Sequence, residues 1–151
     1  MNLYLGVDFG TSGARTVLID HFGEVQLEGK HPFEITPKLL TNWKATLLAL
    51  LEQIPLKLRQ KISSIAFDAT SSTVLLADAI GNPIAEPLMY NDGRGIEVMA
   101  TLKNIAPANH TVLSATSSLA KLLWLIQNLE LKSPQYYFLH QADTKQHLPV
   151  F

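Results

Sequence analysis

A chain of 151 residues is long enough for one globular domain with its own core and too short for two of ordinary size. Hydrophobic residues make up 47% and charged residues 17%, with eight Gly and eight Pro scattered along the chain, which excludes disorder and low complexity. A formal net charge of −1 lacks the basic surplus that a nucleic-acid backbone demands, and the absence of cysteine excludes disulfides and thiolate metal sites, so a cytoplasmic protein is expected.

The N-terminus reaches Asp8 without a basic region followed by an apolar one, so no signal peptide is expected, and no apolar run has the length of a membrane span. Leu3 to Phe9 is a short run of strand formers that ends in Gly10-Thr11-Ser12-Gly13, and a second apolar run, Ala14 to Asp20, follows. This pattern predicts a β-hairpin. The turn at His21-Phe22-Gly23 leads into a third extended segment, Glu24 to Phe33, so the chain opens as a three-strand meander.

From Thr41 the period changes to that of a helix. Trp43, Leu47, Leu50, Leu51 and Ile54 share one face, Thr41 is placed to cap the start, and Pro55 closes the pattern. The short basic stretch Lys57 to Lys61 reads as a solvated connection. Strands are predicted over Ile62 to Phe67 and Thr73 to Ala77, flanking the polar segment Asp68-Ala69-Thr70-Ser71-Ser72, with a turn at Gly81-Asn82-Pro83.

Beyond Asn91-Asp92-Gly93-Arg94 a helical pattern runs to about Lys103 and gives way to a polar loop with Pro107 and His110. A further helix is predicted after Ser117 or Ser118, with Leu119, Leu122, Leu123, Ile126 and Leu129 on one face and Pro134 beyond its end.

The chemistry concentrates at the first turn. Asp8 ends an apolar strand, where a carboxylate needs a positive or hydrogen-bonding partner. Gly10-Thr11-Ser12-Gly13 follows at once, with two hydroxyls and a backbone that an anion can approach closely. Mg²⁺ prefers oxygen ligands shared between one or two carboxylates and substrate phosphates, so Asp8 beside this turn suits a nucleotide-bound Mg²⁺. The same residues also read as a plain hairpin with an Asp near its turn.

The stretch Leu5-Gly6-Val7-Asp8-Phe9-Gly10-Thr11-Ser12-Gly13-Ala14-Arg15 resembles the first phosphate motif of the superfamily of sugar kinases, actin and heat-shock chaperone ATPases. Three further segments resemble the FGGY carbohydrate kinases, in matching order and spacing: Phe67 to Thr73, Tyr90 to Arg94, and Thr116 to Leu125. A chaperone has no need of these sugar-loop segments, and an acyl-CoA dehydratase activator would need cysteines for its iron–sulfur cluster. The form Asp68-Ala69-Thr70-Ser71 is similar to cyanobacterial and plant pentulose kinases that act on D-ribulose or D-xylulose, whereas glycerol kinases carry an Arg-Glu pair where Thr70 and Ser71 stand here.

The resemblance covers residues 3 to 143 and implies an α/β, ribonuclease-H-like (actin-like ATPase) domain, a mixed sheet with helices on its faces, incomplete at the C-terminus. It implies ATP and Mg²⁺ as cofactors, Asp8 as the residue that organises Mg²⁺ and the reacting hydroxyl, Thr11 and Ser12 on the phosphates, and Gly10 and Gly13 shaping the turn. It also implies sugar recognition by Asp68, Thr70, Ser71 and Ser72. Asp92 and Arg94 read either as substrate contacts or as a surface turn that opens a helix.

His140-Gln141-Ala142-Asp143 matches a family segment that normally continues into Trp-Leu, but here Thr144 to Phe151 departs from it. The expectation is a partial kinase N-terminal domain over 1–143 with a divergent tail over 144–151, the family's general base, adenosine segments and second domain lying outside the chain. An isolated chain of this kind is expected to be inactive. It would be a remnant with weak nucleotide or sugar binding, or one half of a split kinase whose partner is the missing C-terminal half.

Overall fold

The computed structural model describes residues 2–34, 39–131 and 135–146. They fall into two compact units, one within Met1–Thr70 and one within Ser71–His147.

The first unit is the meander and its crossover. Strands β1 (Leu3–Phe9), β2 (Gly13–Asp20) and β3 (Val25–Pro32) run antiparallel in succession, and after helix α1 (Leu39–Glu52) and the single turn α2 (Leu56–Arg59), strand β4 (Ile62–Ala69) returns parallel to β1. The sheet order is β3-β2-β1-β4, a mixed sheet. Period-two patterning decides its faces: Leu3, Leu5, Val7 and Phe9 of β1 are buried while Tyr4 and Asp8 between them are exposed. On β2 the buried set is Ala14, Thr16, Leu18 and Asp20.

Helix α1 packs on β2 and β3 and contributes Trp43, Leu47, Leu50 and Leu51, joined by Ile54 just past its end. Each buried leucine stabilises by about 1.5–3 kcal/mol, so this stripe and the buried face of β1 together hold the first unit. The predicted face is the observed one, but Thr41 is not its cap. The helix is already under way at Leu39, which leaves Thr41 exposed in the first turn. The turn between β2 and β3 is held by the Asp20 carboxylate, which accepts from the Phe22 and Glu24 amides (2.9 and 3.1 Å) and from Gln26 Nε2 (3.0 Å), with Gly23 at φ +84°.

In the second unit β5 (Val74–Ala77), apolar and buried throughout, pairs antiparallel with β6 (Tyr137–His140), a strand that the sequence pattern does not announce. A 3-10 turn, Arg94–Val98, leads into α3 (Met99–Ile105), and α4 spans Ser118–Asn128. Ser117 caps α4 as expected. Its Oγ accepts from the Ala120 amide (3.1 Å) and donates to the Val112 carbonyl (2.8 Å).

Of the predicted face of α4, Leu119, Leu122, Leu123 and Leu129 pack, partly buried, against the unit's apolar clusters, but the fully buried positions lie elsewhere on the helix. Ala120, Lys121 and Leu125 are buried, whereas Ile126 is 49% exposed. Lys121 is among the buried set because its ammonium finds acceptors inside the unit. The apolar clusters are Val74-Leu76-Leu88-Leu125 and Val98-Leu102-Ala120. One helical turn, α5 (Asp143–Gln146), stands where the helical pattern is expected to be lost, and the rest of the expected tail, like Pro134, lies outside the described residues.

Gly95 marks the closest approach in this unit. A Cβ there would fall on the Ala115 carbonyl oxygen and 2.6 Å from the Ala120 Cβ. Gly95→Ala is therefore expected to destabilise the chain by about 1–3 kcal/mol, read as a lower urea midpoint with an unchanged m-value. An unchanged midpoint would mean that α4 and the 94–98 turn are not pressed together in this way.

Candidate functional site

In the first unit the turn from Gly10 to Gly13 closes β1 onto β2. The Gly10 amide donates to the Gly13 carbonyl (3.0 Å), and the Phe33 amide donates to the Ser12 carbonyl (3.0 Å). Phe9 and Phe33 stack beneath it with ring centroids 6.1 Å apart. Thr11 and Ser12 stand exposed on a turn anchored from both sides.

The two glycines have different reasons to be there. A Cβ on Gly13 would lie 2.6 Å from the His31 carbonyl oxygen and 3.0 Å from the Pro32 Cα, so the strand pairing itself requires glycine. A Cβ on Gly10 would meet only the Gly13 carbonyl, at an ordinary 3.5 Å. Among the described residues nothing closer stands in the way of a side chain at Gly10.

The parallel register sets Asp8 beside Asp68, and the antiparallel registers set Asp8 beside Arg15 and Arg15 beside Lys30. All four side chains are exposed. They form a row across the four strands, acidic on β4 and β1 and basic on β2 and β3, lining an open trough of about 790 Å³ on the sheet face floored by Gly6, Val17 and Ala66. The sequence reading missed Arg15 and Lys30. Arg15 was legible, because positions 8 and 15 lie symmetrically about the Gly10–Gly13 turn, whereas Lys30 needed the register of β3.

At the end of β4, Thr70 fastens to β1: its amide and its hydroxyl both donate to the Phe9 carbonyl, at 3.1 and 3.2 Å. Thr70 closes the first unit and Ser71 opens the second. The expected polar cluster is thus divided, with Asp68 and Thr70 on one side of the boundary and Ser71 and Ser72 on the other.

Within the second unit Ser71 is exposed and Ser72 is held in the left-handed region at φ +58°, its Oγ 3.3 Å from Ser118 Oγ. Ser72 borders a cavity of about 490 Å³ rich in hydroxyls, those of Thr111, Ser114, Thr116, Ser117 and Ser118 among them. Asp92 and Arg94 engage each other. Asp92 Oδ1 accepts from the Arg94 amide (3.1 Å) and from Arg94 Nε (2.8 Å), and the guanidinium lies 4.6 Å from the centroid of Trp124, whose Nε1 donates to Glu97 (2.9 Å). This is the geometry of a turn that opens a helix. Partial burial works against the Asp92 charge, but Arg94 overcomes it, with Lys121 adding its own field, and the carboxyl is held below its ordinary value of 3.8.

Residues 3–137 match the N-terminal domain of the FGGY family of carbohydrate kinases. The chain belongs to that family. It is 27% identical over 142 residues to a xylulose kinase of Staphylococcus xylosus, a match that covers 83% of this chain and 29% of that protein. Its fold is that of FGGY carbohydrate kinases of known structure. A Plasmodium falciparum glycerol kinase solved with ADP superposes with a TM-score of 0.66 at 20% identity, over 97% of this chain and 30% of that one. A xylulose kinase from Rhodospirillum rubrum gives 0.65 at 18%, over 84% and 29%. This FGGY chain thus spans about three-tenths of the length of the relatives it matches. No helix among its described residues is long and apolar enough to cross a membrane.

Two outcomes follow from the site geometry. Gly13→Ala is expected to lower the thermal midpoint by several degrees, because backbone must move, while Gly10→Ala leaves it within about 1–2 °C; equal losses would contradict the distinction drawn here. The second concerns acid. A carboxyl held below its unfolded value stabilises the fold above 3.8, and that contribution is lost as pH falls through the folded value. The stability gap between the wild type and Asp92→Asn should therefore shrink as pH is lowered from 6 to 3, and a constant gap would show that the Arg94 pairing is not what holds the charge.

Proposed function

We propose that this chain is the phosphate- and sugar-binding N-terminal part of an ATP-dependent pentulose kinase. The carrying observation is the pair Asp8 and Asp68, adjacent and exposed on the sheet face, beside the Gly10–Gly13 turn. Two neighbouring carboxylates suit an oxygen-seeking cation such as Mg²⁺, and a turn whose Gly10 has space above it suits phosphate. The Plasmodium falciparum glycerol kinase was solved with ADP, which supports a nucleotide as a ligand of the whole kinase. Mg·ATP would supply the phosphoryl group and the cation that offsets its charge.

In this reading Asp8 holds the cation and orients the attacking hydroxyl, with Asp68 as its neighbour. Thr11 and Ser12 offer hydroxyls and backbone amides to the phosphates, and Thr70, Ser71 and Ser72 offer short donors and acceptors to the sugar hydroxyls. Asp92 and Arg94 shape the 89–94 stretch of the second unit through their mutual pairing. The name of the Staphylococcus relative supports D-xylulose ahead of D-ribulose.

Coverage of 29% of that relative supports a further element of the proposal: the general base, the adenosine pocket and a second domain belong to the remaining family sequence, and a C-terminal kinase half is the partner. General-base help alone is worth about 10²–10⁴-fold, so the 151-residue chain by itself is expected to bind without turning over. Titration calorimetry of Mg·ATP, with and without Asp8→Asn, provides the test. Mg-dependent binding weakened about tenfold or more by the substitution, with no pentulose phosphate formed, is the expected result. Asp8-dependent phosphorylation of D-xylulose or D-ribulose by the pure chain would overturn the claim of inactivity, and binding indifferent to Asp8 would overturn the site.

A further inference from the structure

A lysine is an improbable choice for the inner face of a helix, because its ammonium loses its hydration there. Lys121 is nonetheless fully buried on α4, at 0% exposure. Its Nζ donates to three backbone carbonyls: Ser72 (2.7 Å), Met89 (2.7 Å) and Tyr90 (3.1 Å). An ammonium has three N–H bonds, and each meets one acceptor.

The three acceptors come from the two stretches of the second unit that carry its candidate sugar contacts. Ser72 ends the Ser71-Ser72 pair, and Met89 and Tyr90 lead into the Asp92–Arg94 turn. Both stretches are irregular backbone, and Ser72 is held at φ +58°, a conformation that persists only where its surroundings over-determine it. α4 grips Ser72 a second time through Ser118 Oγ, at 3.3 Å. The Tyr90 amide in turn donates to Thr73 Oγ1 (3.1 Å), which ties the two stretches to each other.

We infer that Lys121 is a positioning residue: its ammonium is the common point that fixes the 71–72 turn and the 89–94 stretch in one arrangement, and sugar binding in this unit depends on it. The dependence on sugar rests on the function proposed above; the latch itself rests on the three hydrogen bonds. An apolar residue of similar length at position 121 would leave three carbonyls without their shared donor, and either stretch could then relax independently of the other. Burial lowers the Lys121 basicity while the nearby Asp92 charge raises it, so the charged latch is supported from the same 89–94 stretch that it holds.

Lys121→Met in the full 151-residue chain tests this by amide NMR together with D-xylulose and Mg·ATP titrations. The expected result is displaced amide resonances at 71–73 and 89–94, D-xylulose affinity lowered tenfold or more, and Mg·ATP affinity unchanged. Lys121→Arg, which keeps the charge, should restore part of the sugar affinity. Unmoved loop amides with unchanged sugar affinity in Lys121→Met would overturn the inference, as would equal losses for both ligands. If Lys121→Met fails to fold, or the wild type takes no D-xylulose, the wild-type ammonium decides. Slow proton exchange and scalar coupling from the Lys121 Nζ to the carbonyl carbons of residues 72, 89 and 90 support the latch even where the sugar reading fails, and a rapidly exchanging, uncoupled ammonium overturns it.

Discussion

The parallel pairing of β4 with β1 is the constraint from which the candidate site follows. Leu3 pairs with Ile62 and, after a register shift that skips Ser63, six consecutive pairs from Tyr4 with Ser64 to Phe9 with Ala69 bring the C-terminal ends of both strands to one edge of the sheet. A parallel neighbour cannot be reached by a tight turn, so the intervening β2, β3 and α1 serve as the crossover that makes the pairing available. Once it forms, Asp68 must stand beside Asp8, and Thr70 must reach the Phe9 carbonyl just before the Gly10–Gly13 turn. Ligands in open α/β sheets gather at the carboxyl ends of parallel strands for this reason: the chain leaves the sheet there, and its loops are free to carry chemistry.

The second unit solves a different problem. Its candidate contacts lie on irregular backbone, which has no ladder to hold it. A point donor with three directions can organise three carbonyls that no single side-chain hydroxyl could satisfy. The desolvation that makes a buried ammonium costly also strengthens its hydrogen bonds, so the same burial both demands and rewards full pairing. Lys121 meets that demand with three acceptors for its three N–H bonds.

Where a single side-chain period governed an element, the fold could be read from the chain. The β1–β2 hairpin, the meander, the apolar stripe of α1 and the Ser117 cap all arise from local patterning and turn chemistry, and the structure has them at the expected positions. Failures cluster where distant partners decide. Leucine periodicity found four of the apolar contacts of α4 but not the burial of Lys121, because the carbonyls that accept from its ammonium come from remote residues. The strand β6 exists through its pairing with β5 and has too short a run to announce itself. Gly13 was legible as a turn residue, but its closeness to His31 and Pro32 belongs to β3. Of the candidate site, the Asp8 turn was legible; the Asp8–Asp68 adjacency was not, since it depends on strand register.

The arrangement of the charged row carries its own argument. For the sheet alone, Asp68, Asp8, Arg15 and Lys30 would be better placed with signs alternating, because like charges directly opposite each other are destabilising and unlike pairs contribute roughly 0.2–1 kcal/mol each. The observed order puts acid beside acid and base beside base, leaving a single favourable pair, Asp8 with Arg15, at the centre. Such segregation makes little sense as a device for stability. Under the function proposed above it would suit a ligand that is itself segregated, a cation beside a string of anionic oxygens, with Glu28 as the one acid on the β3 side of the trough. On the same proposal, a neutral sugar alone would gain nothing from this order, and its recognition would fall to uncharged hydroxyls.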